Sequence, residues 1–188
     1  AMLRKMRVGQ LHGGGFTMTG VSELVKDFRI LALPFLFNSY DEIDHVAEGL
    51  KSYFISEFEK KRLVFLAYNE VGFVYAMSTK PIKTVEDLKN SKSWTPSGDP
   101  MTQEFMQSIG ITPIQLTIPD VLSSLQTGLI NTVFNSLYGT IVLQWFTKAN
   151  HVTDIPYGYA YGVFVLDKKK FDKLPPEYGA IVKESAEK

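Results

Sequence analysis

Thr79–Tyr138, TKPIKTVEDLKNSKSWTPSGDPMTQEFMQSIGITPIQLTIPDVLSSLQTGLINTVFNSLY, is the stretch whose order of signals decides the fold. A polar turn, Pro81 to Thr84, opens a short helix, and Lys92 to Thr95 then reads as a strand running into the turn Pro96-Ser97-Gly98-Asp99. Asp99 followed by Pro100 is an N-cap with proline at the first helical position, and Met101, Phe105 and Met106 supply the apolar face of the next helix, ended by Gly110. Ile111 to Leu116 is a β-rich run, Pro119 to Gln126 a second helix stopped by Gly128, and Leu129 to Phe134 a second buried strand. Two successive βα units predict a parallel sheet flanked by helices, with ligands beyond the carboxyl ends of the strands. Trp94 and Asn135 fall at such ends. Unpaired N–H groups at a helix start let the Trp94 to Asp99 loop hold polar ligand atoms.

Upstream, Leu3 to Val8 reads as the tail of a helix terminated at Gly9, and Gln10 to Thr19 as a strand widened by Gly13, Gly14 and Gly15. The triplet lacks the Lys-Ser/Thr of a phosphate loop and the spacing of a dinucleotide fingerprint. It serves either close packing or a pocket wall formed with Phe16 and Thr17. Val21 to Phe28 predicts a short helix, and Ile30 to Leu36, interrupted by Pro34, a buried connector. Tyr40 to Lys61 has helical periodicity, with Ile43, Val46, Leu50, Phe54 and Phe58 on one side. Arg62 to Tyr68 and Gly72 to Ser78 read as two strands separated by Asn69 and Glu70. Phe73 suits either a cleft mouth or ordinary core packing.

Downstream, Leu137 to Phe146 predicts a helix, His151 to Pro156 a short strand or connector, and Tyr157 to Leu166 a strand with Tyr157, Tyr159 and Tyr161 on one face. Lys168 to Lys173 and Tyr178 to Lys188 read as helices either side of Pro175-Pro176.

The chain has 188 residues, enough for a full core or two small lobes. Twenty basic residues balance twenty acidic ones, so no net field favours nucleic acid or an anionic membrane. No cysteine is present, so no disulfide is used. No apolar run approaches the roughly 18 residues of a spanning helix. Met2 to Arg7 leads straight into polar, glycine-rich sequence, unlike a signal peptide. His12, His45 and His151 stand apart from any ligand-spaced carboxylate or histidine, so neither a metal nor another cofactor is expected. There is no GxSxG elbow to support nucleophilic catalysis. Asp41, Glu42 and Asp44, with Glu57 and Glu59, read as a solvated helix face.

These signals carry a resemblance. The order PI-T-EDLK, a strand with a Pro-Ser turn, a helix ending in glycine, then TP, LQTG and a strand ending in Asn135 resembles the solute-binding subunit of TRAP transporters, the DctP-type family. Leu33-Pro34-Phe35-Leu36-Phe37, Gly72-Phe73 and the run from Val165 to Glu177 match further family signatures in the right order. The resemblance implies an α/β, periplasmic-binding-protein-like fold of two lobes with parallel or mixed sheets flanked by helices. Residues 1–75 would be the remainder of an incomplete first lobe, 76–166 a second lobe of βα units, and 167–188 a helical return segment. Such a subunit captures a small organic solute in the periplasm, closes about a hinge, and hands the solute to membrane permease subunits. Set beside the family, the chain is expected to be a fragment trimmed at both ends, its uncovered apolar surface favouring a homodimer.

One departure bears on specificity. Family members usually place an arginine before the Pro-Ser turn to clamp a carboxylate through two parallel charge-assisted bonds, and Trp94 stands there. Val133-Phe134-Asn135-Ser136 replaces a QEN-P pattern, keeping only Asn135. The residues expected at the ligand are Phe16, Phe73, Trp94, Phe134, Tyr157 and Tyr159, with Thr17, Asn69, Glu70, Ser97, Asp99 and Asn135 as the polar minority. That balance suits a hydrophobic or aromatic solute, the alternative being that Trp94 plugs the old site and little is bound. Each ring removes on the order of 150 Å² from water, several kcal/mol at about 25 cal/mol per Å² before costs. The other readings are the effector-sensing domain of a transcriptional regulator and an enzyme using Glu70 or Asp99, and binding without turnover is the one expected.

Overall fold

The computed structural model describes residues 2–186. Its elements are α1 (Met2–Arg7), β1 (Gly13–Thr17), α2 (Met18–Val21), a 3-10 turn over Lys26–Ala32, α3 (Tyr40–Lys60), β2 (Leu63–Ser78), α4 (Val85–Lys89), β3 (Trp94–Pro96), α5 (Pro100–Ser108), β4 (Ile114–Leu116), α6 (Ile118–Thr127), β5 (Thr132–Ser136), α7 (Leu137–Val142), a 3-10 turn over Trp145–Thr147, β6 (His151–Asp167), α8 (Lys168–Phe171) and α9 (Pro176–Ala186). The final helix expected to reach Lys188 is described as far as Ala186, and its last two residues lie outside the described range. Strands hydrogen-bond in the order β1-β6-β2-β5, with β3 and β4 as a separate pair.

By contacts the chain forms two compact units: 1–31, 39–70 and 161–188 in unit 1, and 32–38 with 71–160 in unit 2. These units change at 70/71 and 160/161, each inside one long strand, whereas the resemblance implies lobe boundaries at 75/76 and 166/167. Both β2 and β6 pass from one unit into the other, β2 at Val71 and β6 at Tyr161. Asn69 and Glu70 do not break β2, and Gly72, at φ 109, carries the chain through a conformation that side chains disfavour.

Unit 1 is organised on Phe28. Helix α3 starts at Ser39, whose hydroxyl accepts from the Glu42 N–H at 3.3 Å, and its buried face is Ile43, Ala47, Phe54 and Phe58. Phe54 and Phe58 meet Phe28 edge-on at 5.0 and 5.2 Å between centroids. The Tyr161 hydroxyl donates to the Phe28 carbonyl, and that of Tyr68 to the Ala47 carbonyl at 3.0 Å. Strand β1 pairs antiparallel with Gly162–Leu166 of β6. A Cβ at Gly13 would lie 2.3 Å from Leu166 and one at Gly162 2.0 Å from the Phe16 carbonyl oxygen, so these glycines let two backbones approach. That assigns Gly13 to close packing, one of the two uses open for the glycine triplet. The helix expected over Val21 to Phe28 divides instead into α2 and a 3-10 turn, which brings Phe28 into the core.

Unit 2 pairs Val74–Ser78 of β2 antiparallel with Thr132–Ser136 of β5, while β3 and β4 are parallel, with Trp94 opposite Ile114. A single parallel bridge, Ser93 to Thr132, joins the two ladders. Of the parallel or mixed sheets that the resemblance implies, the arrangement is the mixed one: the β3–β4 pair is parallel as two βα units predict, and β5 is antiparallel to β2. Local signals nevertheless hold: Thr84 and Asp87 cap α4 reciprocally, Asp99 caps α5, and Gly128 ends α6 at φ 74. The helix expected to Phe146 stops at Val142, because Gln144 at φ 58 turns the chain and sends Trp145 into the core. The expected buried connector is partly uncovered, with Ile30, Leu33, Phe35 and Leu36 exposed.

Burial pushes the hydroxyl pKa values of Tyr68 and Tyr161 up and that of Tyr157 to about 12. The folded state therefore keeps protons that the unfolded chain releases near pH 10, so stability falls as pH rises above that value. The thermal midpoint should fall between pH 9 and pH 11, with the share of tyrosinate absorbance at 295 nm that belongs to Tyr68, Tyr157 and Tyr161 appearing only on unfolding. Full tyrosinate absorbance in the folded protein at pH 10.5 would contradict this.

Candidate functional site

The start of α5 supplies a polar base. Gly98, at φ 82, makes the turn that Ser97 enters, and the Ser97 N–H donates to the Leu116 carbonyl at 3.2 Å while its side chain stays exposed. Asp99 is buried. Its Oδ1 accepts from the Thr102 N–H at 3.4 Å and its Oδ2 from the Thr102 hydroxyl at 2.7 Å, so the carboxylate is held as an N-cap. Spacing by three residues sets Asp99, Thr102 and Phe105 along one side of the helix start.

Four rings gather in unit 2 around Tyr157. Its centroid lies 5.3 Å from Phe105, 5.4 Å from Phe134 and 5.8 Å from Phe35, and Phe35 is 6.0 Å from Phe105. The Phe35 N–H donates to the Tyr157 carbonyl at 2.9 Å, fixing the apolar segment 32–38 to β6. The Tyr157 hydroxyl is buried without a hydrogen bond of good geometry. Burial raises its pKa most, the Thr102 hydroxyl draws it back and the Asp99 charge raises it again. It therefore remains a neutral phenol at physiological pH, able to donate one hydrogen bond. The corner offers apolar ring faces and one polar tip, and suits binding rather than bond-making.

Asn135 stands apart from these rings. Strand alternation puts Phe134 on one side of β5 and Asn135 on the other, with Val133. The Asn135 Oδ1 accepts from the Ser136 N–H at 2.9 Å, and Ser136 caps α7, accepting from the Gly139 N–H at 2.9 Å.

Trp94 is the principal correction. Its indole is 2 % exposed and lies in the core with Met77, Val121, Leu125, Ile130, Val133, Trp145 and Ala149. Trp145 meets it edge-on at 5.2 Å, and Nε1–H donates to the Leu116 carbonyl at 3.1 Å. It opens β3 rather than ending it. An apolar ring with one donor is more stable in that interior than beside water, so the residue at the expected clamp position packs instead. Phe73 and Tyr159 are likewise buried, their rings edge-on to one another at 5.8 Å.

The remaining expected residues belong to unit 1. Phe16 is buried on β1, Thr17 is exposed and caps α2 by accepting from the Gly20 N–H at 3.2 Å, Asn69 is half-buried and Glu70 exposed. The structure thus gathers Phe134 and Tyr157, with Asp99 close enough to act on the Tyr157 hydroxyl. Phe35, Thr102 and Phe105 were missed as site residues, although Thr102 sits three positions after the cap and Phe105 one turn further. Among the described residues no group of histidines and carboxylates could hold a metal ion, and no helix is long and apolar enough to cross a membrane.

A family model described as bacterial extracellular solute-binding protein, family 7, matches residues 1–188. The C4-dicarboxylate-binding periplasmic protein DctP of Rhodobacter capsulatus is 25% identical over 154 residues, covering 81% of this chain and 46% of its own. The 2,3-diketo-L-gulonate-binding periplasmic protein YiaO of Escherichia coli K12 is 27% identical over 196 residues, covering 100% of this chain and 57% of its own. The chain thus spans about half the length of these relatives. A TRAP periplasmic solute binding protein from Xanthobacter autotrophicus Py2, solved with bound β-D-galacturonate, superposes with a TM-score of 0.91 at 22% identity, over 99% of this chain and 62% of its own. One from Shewanella oneidensis with bound succinate gives 0.90 at 20% identity, over 98% and 61%. At these identities the likeness is one of fold. None of the proteins named here is described as a regulator.

Replacing Trp94 with alanine should lower the unfolding free energy by about 3–5 kcal/mol, the usual loss for a buried aromatic. Urea titration followed by circular dichroism measures it, and a loss below about 1 kcal/mol would remove the indole from the core.

Proposed function

The chain belongs to family 7 of the bacterial extracellular solute-binding proteins, and from that premise we propose that it is the solute-capturing part of a TRAP-type transporter's extracytoplasmic subunit. It works in the periplasm and delivers a small organic solute to membrane permease subunits. The proteins it resembles are named for dicarboxylates and sugar acids. Here the solute has a hydrophobic or aromatic body and a hydrogen-bond acceptor.

The observation that carries this reading is the corner of Phe35, Phe105, Phe134 and Tyr157 over Asp99 and Thr102. Few polar groups converge there, and a buried phenol hydroxyl without a good partner favours a ligand that supplies one. With Trp94 committed to the core, discrimination rests on these side chains. No residue is assigned to turnover.

Calorimetric titration with phenylacetate and with D-glucuronate tests the solute class. Phenylacetate should bind the more tightly, Phe134→Ala should weaken it at least tenfold, and Tyr157→Phe should weaken it severalfold through the lost donor. Preference for D-glucuronate would overturn the aromatic assignment. Native mass spectrometry of the protein from its own host identifies the retained solute.

A homodimer also remains part of the proposal. Leu137, Tyr138, Ile141 and Val142 of α7 are all more than half exposed and carry no charge, which favours association. Size-exclusion chromatography with light scattering should give twice the chain mass, and Ile141→Glu should halve it. A monodisperse wild-type monomer would remove the dimer.

A further inference from the structure

We propose that the open edge of β2 in unit 1 is a docking site for a partner protein, which adds an extended segment flanked by acidic residues to the sheet as one more strand. β2 lies between β6 and β5, but β5 pairs only with its residues 74–78. Among the described residues no strand therefore covers that edge over residues 63–70. Residues 63–69, LVFLAYN, contain no charge, glycine or proline. An uncharged apolar edge of this kind is a template for another chain, and proteins commonly blunt such edges with charges or proline on the strand itself.

A groove follows the edge. Its volume is about 140 Å³, and Leu63, Val64, Phe65 and Leu66 all line it. Successive side chains of a strand point to opposite faces, so a hollow on one face would meet every second residue. One that meets four in succession runs along the edge, within reach of the backbone. Phe65 meets Phe58 of α3 at 5.7 Å between centroids, which sets α3 over the face that Leu63 and Phe65 share. Ile55 of α3 and Phe171 of α8 add apolar wall. A strand entering here gains backbone hydrogen bonds from the edge and apolar contact for alternate side chains.

Charge selects the occupant. Three lysines line the groove, Lys51, Lys168 and Lys183, against one acid, Glu59, an excess of two positive charges. Lys168 pairs with Glu59 at 3.2 Å, and Lys183 stands over the Phe171 ring at 5.6 Å. Asp172 and Glu48, which pair with Lys168 at 3.2 Å and Lys51 at 4.0 Å, are not part of the lining. Acidic residues at the ends of the added strand therefore meet opposite charge. A second copy paired edge to edge about a two-fold axis would bring the same lysines together, which counts against self-pairing.

The probe is the fluorescein-labelled heptapeptide EVTVTVE, titrated with the full chain and followed by anisotropy, with KVTVTVK as the charge control. EVTVTVE should bind at least about tenfold more tightly than KVTVTVK, and Lys183→Glu should narrow that preference severalfold. Methylating alternate backbone nitrogens of EVTVTVE tests strand addition: one alternate set should abolish binding and the other leave it within about twofold, because only one set faces the edge. Hydrogen exchange should slow at alternate amides of residues 63–66 when EVTVTVE is added. Equal affinity for the two peptides, no binding of EVTVTVE at millimolar concentration, or equal effects of the two methylated sets overturns the proposal. So does slow exchange at those amides in the protein alone that strengthens with chain concentration, which gives the edge to a second copy.

Discussion

The edge-on contact of Trp94 with Trp145 is the constraint on which unit 2 depends. It brings the first residue of β3 against the 3-10 turn after α7, and the indole N–H reaches the end of β4 through the Leu116 carbonyl. Three short elements, none stable alone, become one interior around Val121, Leu125, Ile130 and Val133. The turn at Gln144, with its positive φ, exists to deliver the second ring. Once that core closes, β5 is registered against β2, and Phe134 and Asn135 are fixed on opposite sides of it.

Specificity follows from what the core leaves over. The position where the resemblance places a charged clamp is filled from within, so on the proposed reading recognition passes to side chains at the margins of the unit: the start of α5, the 32–38 segment and one tyrosine of β6. The carboxylate there is already partnered, Asp99 with Thr102. Such prior bonding preorganises the surface, because a solute need not order those side chains on arrival.

Local chemistry was legible in the sequence wherever one residue dictates a backbone state. Asp99-Pro100, the polar turn ending at Thr84 and Gly128 marked helix ends that the structure keeps. The periodicity of Tyr40 to Lys61 fixed α3 to within one residue, and the ordered motifs indicated the family before any coordinates. What sequence could not give were facts set by distance along the chain. Asn69-Glu70 looks like a break, yet β2 runs through it as one strand from Leu63 to Ser78. β5 was read as a parallel strand from its local pattern, while its partner is settled by β2, some sixty residues upstream. Motif position sets Trp94 at the ligand because it says which residue stands there and not which way its ring points. Phe35 and Phe105, from distant segments, meet only through Tyr157.

Both tryptophans of the chain lie within one ring contact in unit 2, and unit 1 contains neither. Indole emission is therefore a local reporter: it registers the loosening of one interior and is blind to the Phe28 cluster of the other. If the two units melt separately, fluorescence will trace a clean single transition that describes half the molecule, and only a backbone probe will see the rest.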